Sequence, residues 1–176
     1  DDESGKNFIN CLNESGVDAH VAKIKGQRSG ECLVLITPDN ERTMNTFLGS
    51  SSLLSDNDIS KESIQESDYL LIEGYLVTSD LTLNVGVAAI DIANENNTKT
   101  VITLSDPNIV SFFRDNMMKL FNKKSHIIFC NEQEALNFSQ TNNLKDAEVF
   151  LKELTDMYII TLGSKGAICF DGTNDY

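Results

Sequence analysis

Residues 69–104 decide the fold, and they read YLLIEGYLVTSDLTLNVGVAAIDIANENNTKTVITL. The first four residues form an apolar run that is typical of a buried β-strand, which is predicted to end at Glu73. Apolar residues then recur at the helical period, which predicts an amphipathic helix. These residues are Leu81, Val85, Ala88 and Ile92. A second apolar run at residues 100–104 predicts another strand. A strand, a helix and a strand in this order are typical of a parallel sheet.

The same alternation of strands and helices continues along the chain. Strands are predicted at residues 126–129 and 157–161, with a helix at residues 132–138. Two further helices have apolar faces made of Val110, Phe113, Met117 and Leu120 in one and Leu144, Ala147, Leu151 and Leu154 in the other. Glu148 and Lys152 are expected on the solvent side of the second of these helices. We therefore predict an α/β fold with a doubly wound, mostly parallel sheet and helices on both faces.

Residues 17–48 have a different pattern, in which short β-rich runs alternate with turn sequences. The runs are residues 17–24, 31–36 and 43–48, and KGQRSG and TPDNE separate them. This pattern predicts a small antiparallel β-sheet. Residues 1–16 and 49–176 are expected to form the α/β core.

The composition argues against several classes of protein. With 14 Lys and Arg against 27 Asp and Glu, the formal net charge of the 176 residues is −13, which argues against nucleic-acid binding. The apolar runs are far shorter than the roughly 18 residues of a membrane span, so no membrane association is expected. An acidic interaction domain is compatible with this charge, although a solvated acidic surface is the more ordinary explanation.

The four cysteines are far apart and form no C-x-x-C pair. They are Cys11, Cys32, Cys130 and Cys169. With only two histidines, the sequence predicts neither a zinc site nor a disulfide framework. The chain begins with Asp and no secretion signal follows, so we expect a fragment of a cytoplasmic protein with reduced, buried cysteines.

The candidates for a functional site follow the predicted strands, because ligands of parallel sheets bind beyond the carboxyl ends of the strands. These candidates are Glu73, Ser105 with Asp106, Asn131 with Glu132, and residues 163–166. The G-x-G-x-x-G, Walker A, G-x-S-x-G and H-E-x-x-H motifs are all absent from the sequence.

Asn131 and Glu134 stand three residues apart at the start of a predicted helix. Backbone N–H groups at such a position favour phosphate, and a carboxylate can hold a hydrated Mg²⁺. Alternatively, Asn131 is the N-cap of the helix and Glu134 its capping-box partner. The residue pattern by itself leaves both interpretations open, and it favours the cap.

The segment TLGSKG at residues 161–166 lies between two apolar strands. Its two glycines let the backbone come close to a phosphate, which Lys165 and the hydroxyls of Thr161 and Ser164 could contact. The alternative is a plain turn between two strands.

Four segments, in this order, resemble the ribokinase-like (PfkB) carbohydrate and nucleoside kinases. They are RSG at 28–30 with ERTMNTFLG at 41–49, LIEGYL at 71–76, NEQEA at 131–135, and TLGSKGA at 161–167. The opening DESG at residues 2–5 also resembles the family, so the likeness spans essentially the whole chain. The RTMNTFLG and SDP segments resemble its adenosine-kinase-like branch.

This resemblance implies ATP- and Mg²⁺-dependent phosphoryl transfer to a hydroxyl group of a sugar or a nucleoside. The family's N-x-x-E motif helps to arrange metal and phosphate, which implies roles for Asn131 toward the nucleotide and for Glu134 toward Mg²⁺. A glycine-containing turn contacts the nucleotide in this family. Its counterparts here are Thr161, Gly163, Ser164, Lys165 and Gly166.

The resemblance also implies how the acceptor is bound. Glu73 matches a position that faces the acceptor, and Arg42 lies in the matching lid segment, so both are expected to contact substrate. Residues 17–48 correspond to part of a β-sheet lid that closes over the acceptor. Lids in this family can pair between subunits, which would give a homodimer.

The chain departs from the family pattern in its catalytic base. That base is an Asp in a G-A-G-D segment, which does not occur up to Tyr176. The catalytic residue is therefore expected beyond Tyr176, and the fragment by itself is expected to be inactive. A non-catalytic α/β module that binds a nucleotide or another small ligand is the alternative.

Overall fold

The structure is a computed structural model that describes residues 2–176. It divides into two compact units, which are residues 2–58 and 59–176. This is a division by packing, and the assignment of residues 17–48 to a lid stays a prediction.

The first unit contains one helix and one β-hairpin. Helix α1, Glu3–Glu14, begins at Asp2, whose carboxylate accepts a hydrogen bond from the Gly5 N–H at 2.9 Å. Strands β1, Glu31–Ile36, and β2, Arg42–Phe47, pair antiparallel, which confirms the small sheet. Residues 49–58 follow in short 3₁₀ turns.

The strand predicted at residues 17–24 is wrong, because this segment has no regular secondary structure. A strand needs a partner for its backbone groups, and in residues 2–58 the ladder pairs only β1 with β2. A β-rich composition does not supply that partner.

The second unit alternates strands and helices as predicted. Its elements are helix α2 (Lys61–Glu66), strand β3 (Tyr69–Glu73), helix α3 (Asp80–Glu95), strand β4 (Lys99–Thr103), helices α4 (Pro107–Phe112) and α5 (Arg114–Lys119), strand β5 (Ser125–Asn131), helices α6 (Glu132–Ser139) and α7 (Leu144–Leu154), and strands β6 (Thr155–Thr161) and β7 (Ala167–Phe170). The five strands form one sheet in the order β3-β4-β5-β6-β7, parallel up to β6, with β7 antiparallel.

This architecture confirms the α/β class with a mostly parallel sheet and a separate small antiparallel sheet. Consecutive strands are neighbours, so the strand order does not reverse within residues 59–176. One face of the sheet packs against the helices, and its in-register row is fully or almost fully buried. That row is Ile72, Ile102, Ile128 and Tyr158. The opposite face is less covered, as the exposed side chains of Leu71 and Phe129 show.

The buried face of α3 is wider than predicted. Val85 of the predicted stripe is buried and Ile92 packs against the core, but Leu81 is 48% exposed, and Leu83, Gly86 and Ile90 are buried as well. Apolar residues surround most of this helix, so more than one stripe fits the helical period. The missing side chain of Gly86 decides the face, because a Cβ there would come within 3.3 Å of Leu76 and Leu120.

Two further expectations about the helices are wrong. The helix predicted to carry Val110 and Leu120 is broken into α4 and α5 at Phe113. Next to the break, the Arg114 Nε donates to the carbonyl of Phe138 at 2.8 Å, a tertiary contact that periodicity cannot show. Glu148, expected at the surface, is only 4% exposed, because it accepts a hydrogen bond from the buried Tyr158 hydroxyl.

The helix caps follow the sequence. Ser79 caps α3 through a hydrogen bond to the Thr82 N–H, and Pro107 occupies the first turn of α4. None of the helices in residues 2–176 is both long and apolar enough to cross a membrane. All four cysteines are free thiols, and the expected burial holds for Cys130 but is wrong for Cys11 and Cys32, which are exposed in the unit that has no buried side chain.

Candidate active site

The carboxyl ends of the four parallel strands surround an open cavity of about 330 Å³. This position follows from the topology, because parallel strands end at the same edge of a sheet. The cavity is lined by Glu73, Thr103, Ser105, Phe129, Cys130, Asn131, Glu134 and Thr161. None of these eight residues carries a positive charge, and two are carboxylates.

Glu73 ends β3 beside Thr103, the last residue of β4, and the two are partners in the parallel ladder. The Thr103 hydroxyl donates to Glu73 Oε2 at 3.0 Å, and the Ser105 hydroxyl donates to the same oxygen at 3.1 Å. The two hydroxyl oxygens are themselves 2.8 Å apart. A carboxylate and two hydroxyls therefore meet at one end of the cavity.

Ser105 has a left-handed backbone conformation, with φ at 68°. The Asp106 N–H donates to the Leu104 carbonyl at 2.9 Å, which closes a tight turn around Ser105. Asp106 then caps α4 by accepting hydrogen bonds from the Asn108 and Ile109 N–H groups. This turn aims the Ser105 hydroxyl at Glu73 and starts the next helix.

Asn131 and Glu134 form a complete capping box at the start of α6. The Asn131 Oδ1 accepts from the Glu134 N–H at 2.8 Å, while the Glu134 oxygens accept from the Asn131 N–H and Nδ2 at 2.9 and 2.7 Å. The cap interpretation of this pair is thus realised in the structure. Both residues also line the cavity, so the cap places them where a ligand can reach.

Glu134 lies in an unusual electrostatic setting, since it is only 5% exposed. Burial raises the pKa of its carboxyl above the usual value, the negative charge of Asp106 raises it further, and the hydrogen bond from Asn131 opposes both effects. Burial also raises the pKa of the neighbouring Cys130 thiol, so this cysteine is a neutral, inert wall of the cavity.

Thr161 ends β6 and leads into the turn at residues 163–166, which connects it to the antiparallel strand β7. Gly163 and Gly166 have φ values of 61° and 99°, and a hydrogen bond from the Leu162 N–H to the Gly166 carbonyl closes the turn at 2.8 Å. Ser164 and Lys165 are exposed at its tip. The segment is a turn between two strands, and its tip is open.

The structure brings five of the predicted site residues together around the cavity, namely Glu73, Ser105, Asn131, Glu134 and Thr161. The turn residues Gly163, Ser164, Lys165 and Gly166 are separated from Thr161 by Leu162 alone and do not line the cavity. Arg42 belongs to the other unit, where it starts β2 opposite Ile36. Sequence reasoning missed Thr103, although its place at the end of a strand marks it in the same way as Glu73.

Residues 1–176 match the family described as pfkB family carbohydrate kinase. The chain belongs to this family.

Solved structures agree with this assignment. The adenosine kinase from Sinorhizobium meliloti is 27% identical and has a TM-score of 0.94, over 100% of this chain and 54% of that chain. A probable sugar kinase from Rhizobium etli CFN 42 is 25% identical, with a TM-score of 0.93 over 99% of this chain and 54% of that chain. The Anopheles gambiae adenosine kinase, in complex with a diadenosine tetraphosphate, is 20% identical, with a TM-score of 0.89 over 99% of this chain and 56% of that chain.

The last of these likenesses, at 20% identity, shows the fold alone. The chain spans about half the length of each of these three structures. The similarity to these three structures therefore supports a ribokinase-like fold for residues 2–176.

Proposed function

We propose that the protein is an ATP-dependent kinase that transfers the γ-phosphate to a hydroxyl group of a sugar or a nucleoside. The observation that carries the proposal is the cavity, where polar groups from four strand ends of a pfkB family chain meet. The similarity to an adenosine kinase and to a probable sugar kinase supports the same class of reaction.

We assign the phosphates of ATP to the turn after β6 and to Asn131 beside it. A Cβ at Gly163 or Gly166 would meet nothing within 4 Å, so the backbone there is open to close approach by a phosphate. The Lys165 amino group and the hydroxyls of Thr161 and Ser164 supply donors. The charge of Lys165 matters here, because the cavity itself has no cationic side chain.

We assign the acceptor to the Glu73 end of the cavity, because a carboxylate binds the hydroxyls of a polyol through charge-assisted hydrogen bonds. Contact of Arg42 with substrate stays a prediction from the family resemblance. Residues 17–48 would serve as the lid that excludes water during transfer, and residues 1–16 and 49–176 as the core.

Glu134 is the residue that would hold Mg²⁺. Its oxygens already accept hydrogen bonds from Asn131, and residues 2–176 contain no group of three His, Cys, Asp or Glu side chains that could hold a metal ion. This donor set fits Mg²⁺ that keeps several waters and is bound largely by phosphates. Mg²⁺ bound there would neutralise charge on the phosphates during transfer.

We place the catalytic base outside these residues. Both carboxylates of the cavity are engaged, Glu134 in its capping box and Glu73 with two hydroxyls. The family resemblance assigns the base to an Asp that follows Tyr176. The 176-residue chain by itself should therefore show no turnover, since a general base contributes about 10²- to 10⁴-fold to the rate.

The test is a coupled ADP-release assay of the complete gene product with Mg²⁺ and ATP against a panel of sugars and nucleosides. Acceptor-dependent ADP release is the expected result. ATP binding without turnover on any acceptor would contradict the proposal and favour a non-catalytic ligand-binding module.

Two variants test the assigned roles in the same assay. Lys165→Met should raise the KM for ATP, with Lys61→Met at the exposed start of helix α2 as the matched control. Glu134→Gln should raise the Mg²⁺ concentration needed for half-maximal rate, because the amide keeps the shape and removes the charge. An unchanged Mg²⁺ titration would leave Glu134 with its capping role alone.

A further inference from the structure

Three oxygen atoms at the ends of β3 and β4 form a compact group, in which Glu73 has an assigned role and the two hydroxyls have none. They are Glu73 Oε2, Thr103 Oγ1 and Ser105 Oγ, and their mutual distances are 3.0, 3.1 and 2.8 Å. We call them the hydroxyl–carboxylate cluster. All three residues line the cavity.

Counting protons shows what this cluster can offer to a ligand. It contains three contacts and two hydroxyl protons, and an ionised Glu73 has none to give. Either both hydroxyls donate to Glu73 Oε2, or one hydroxyl donates to the other, which then donates to Glu73. In both arrangements every proton is used inside the cluster. A ligand therefore meets only hydrogen-bond acceptors.

The backbone is built to keep this arrangement. The parallel ladder places Glu73 beside Thr103, and the left-handed turn at Ser105 brings its hydroxyl back to them. A serine at positive φ is uncommon and costs free energy, so local contacts must hold it there. The two hydrogen bonds of the Ser105 hydroxyl are such contacts.

We propose that Thr103 and Ser105 are positioning residues that fix Glu73 as an acceptor-only recognition element for one hydroxyl group of the acceptor substrate. This rests on the proposed function and names the chemistry by which the cavity selects its acceptor. A phosphate offers mainly acceptor oxygens and is disfavoured at such a group. The cluster therefore keeps the acceptor end of the cavity distinct from the phosphate end.

A bound cation fits the cluster less well than a hydroxyl does. To coordinate a metal ion, the two hydroxyls would have to turn their protons away from Glu73 and lose hydrogen bonds to a charged group. Glu73 is also the one carboxylate of the cluster. A substrate hydroxyl needs only the lone pairs that the cluster already presents.

The experiment compares Thr103→Val and Ser105→Ala with wild type in the complete gene product, using the acceptor that the panel identifies. The KM values for acceptor and for ATP, the kcat and the Mg²⁺ concentration at half-maximal rate are measured for each. Thr103→Ser keeps the hydroxyl and should restore the wild-type values. Ser67→Ala, which removes an exposed hydroxyl bonded to the Ser63 carbonyl outside the cavity, is the matched control.

The expected result is a rise of about tenfold in the KM for acceptor in both variants, with the KM for ATP and the Mg²⁺ requirement unchanged. A shift in the Mg²⁺ requirement would overturn the proposal and make the cluster a cation site. Equal effects on both KM values, or no effect, would overturn it as well and leave the hydroxyls a structural role.

Monodeoxy analogues of the acceptor identify the recognised hydroxyl. One analogue should give the same KM with wild type and with Thr103→Val, because the hydroxyl that the cluster binds is missing from it. If the ratio of the KM of Thr103→Val to that of wild type is the same for every analogue, the cluster recognises no hydroxyl. Failure of the proposed function is distinguishable, since wild type would then turn over no acceptor at all.

Discussion

The two units of the chain contain β-strands of similar length but are stabilised in different ways. No side chain in residues 2–58 is buried, and every residue of β1 and β2 is exposed. In residues 59–176, by contrast, a continuous core runs from Ile64 to Ile160, and one face of β5 and β6 is buried in it. An apolar run in the sequence therefore predicts a strand in either unit, but it does not show whether that strand is exposed or buried.

Backbone contacts and hydrogen bonds take the place of a core in the first unit. The Asp2 carboxylate accepts hydrogen bonds from the N–H groups of Gly5 and Ser29, which ties α1 to the segment before β1. The Ser50 N–H donates to the Arg28 carbonyl at 2.8 Å, directly after Gly49. Such contacts fix local geometry but bury little apolar surface, so the second unit should carry most of the free energy of unfolding.

The largest expected effect follows from this contrast. Ile128→Ala in β5 removes a fully buried side chain and should lower the free energy of unfolding by about 2–5 kcal/mol. Leu35→Ala in β1 removes a side chain that is half exposed and should change it by less than about 0.5 kcal/mol. Urea unfolding of both variants measures the difference. Comparable losses would show that the first unit has a core of its own.

Glycine substitutions sharpen the comparison. A Cβ at Gly74 would lie 2.7 Å from the Thr103 carbonyl oxygen, and one at Gly49 would lie 2.5 Å from the Arg28 carbonyl oxygen. Gly74→Ala should lower the global free energy of unfolding by about 1–3 kcal/mol, because the clash is with the backbone of the five-stranded sheet. Gly49→Ala should instead increase hydrogen exchange of the first unit and leave the β5 amides protected.

A control separates steric clash from backbone conformation in the second of these variants. Gly26 has a positive φ, as Gly49 does, but a Cβ there would meet nothing within 4 Å. Gly26→Ala should therefore change hydrogen exchange less than Gly49→Ala does. If the two variants behave alike, the positive φ and not the clash is the reason that Gly49 is a glycine.

The strands of the second unit could be predicted because buried parallel strands are short apolar runs. Residues 100–104 were expected as a strand and β4 is Lys99–Thr103, a shift of one residue. The exposure of Leu81 and the burial of Leu83 and Ile90 on α3, the break at Phe113 and the burial of Glu148 could not be predicted in this way. Each depends on a partner distant in sequence, such as Leu120 beside Gly86 or the Tyr158 hydroxyl beside Glu148.

The same distinction applies to the site. Glu73, Asn131 and Thr161 could be found because strand ends in a parallel sheet meet at one edge. Thr103 ends a strand too, but its importance lies in the hydrogen bond to Glu73, whose position 30 residues earlier no local pattern reveals. The roles of Arg42 and of the turn at residues 163–166 stay predictions.

Acid should affect the helix starts of the two units differently, because the pKa of the capping carboxylate Asp2 is lowered and that of Glu134 is raised. Hydrogen bonds from Ser29 and Gly5 lower the pKa of Asp2, so its contribution to stability is complete above its ordinary value of 3.8 and is lost as the pH falls through its folded-state pKa. Burial raises the pKa of Glu134, so stability is lost there as the pH rises from 4.5 through the folded-state value.

Hydrogen exchange at pH 7 and at pH 3 measures this difference. Protection of the Gly5 and Ser29 amides should fall in acid, while the start of α6 keeps its protection. Asp2→Asn should remove the pH dependence at α1. If acidification lowers the protection of α6 before that of α1, the opposite pKa shifts of Asp2 and Glu134 are contradicted.

The smallest expected effect concerns the partly exposed ion pair of Lys152 and Asp175 in the second unit. The Lys152 Nζ lies 2.7 Å from the Asp175 Oδ1. The hydrogen bond from Lys152 lowers the pKa of Asp175, so the pair stabilises the fold above the ordinary value of 3.8 and loses this effect as the pH falls through the folded-state pKa. Asp175→Asn should therefore lower the Tm slightly at pH 7 and leave it unchanged in strong acid, where Asp175 of the wild type is protonated.

Asp156→Asn is the control, because its exposed pair with Lys124 is longer, at 3.4 Å, and should contribute less. The buried Tyr158 hydroxyl adds a reason to expect the larger effect at Asp175, since it lies 3.3 Å from that carboxylate and would keep a weaker acceptor in the variant. Equal Tm changes for the two variants at pH 7 would show that neither the Tyr158 contact nor the shorter distance matters, and that the second unit depends on its apolar core alone.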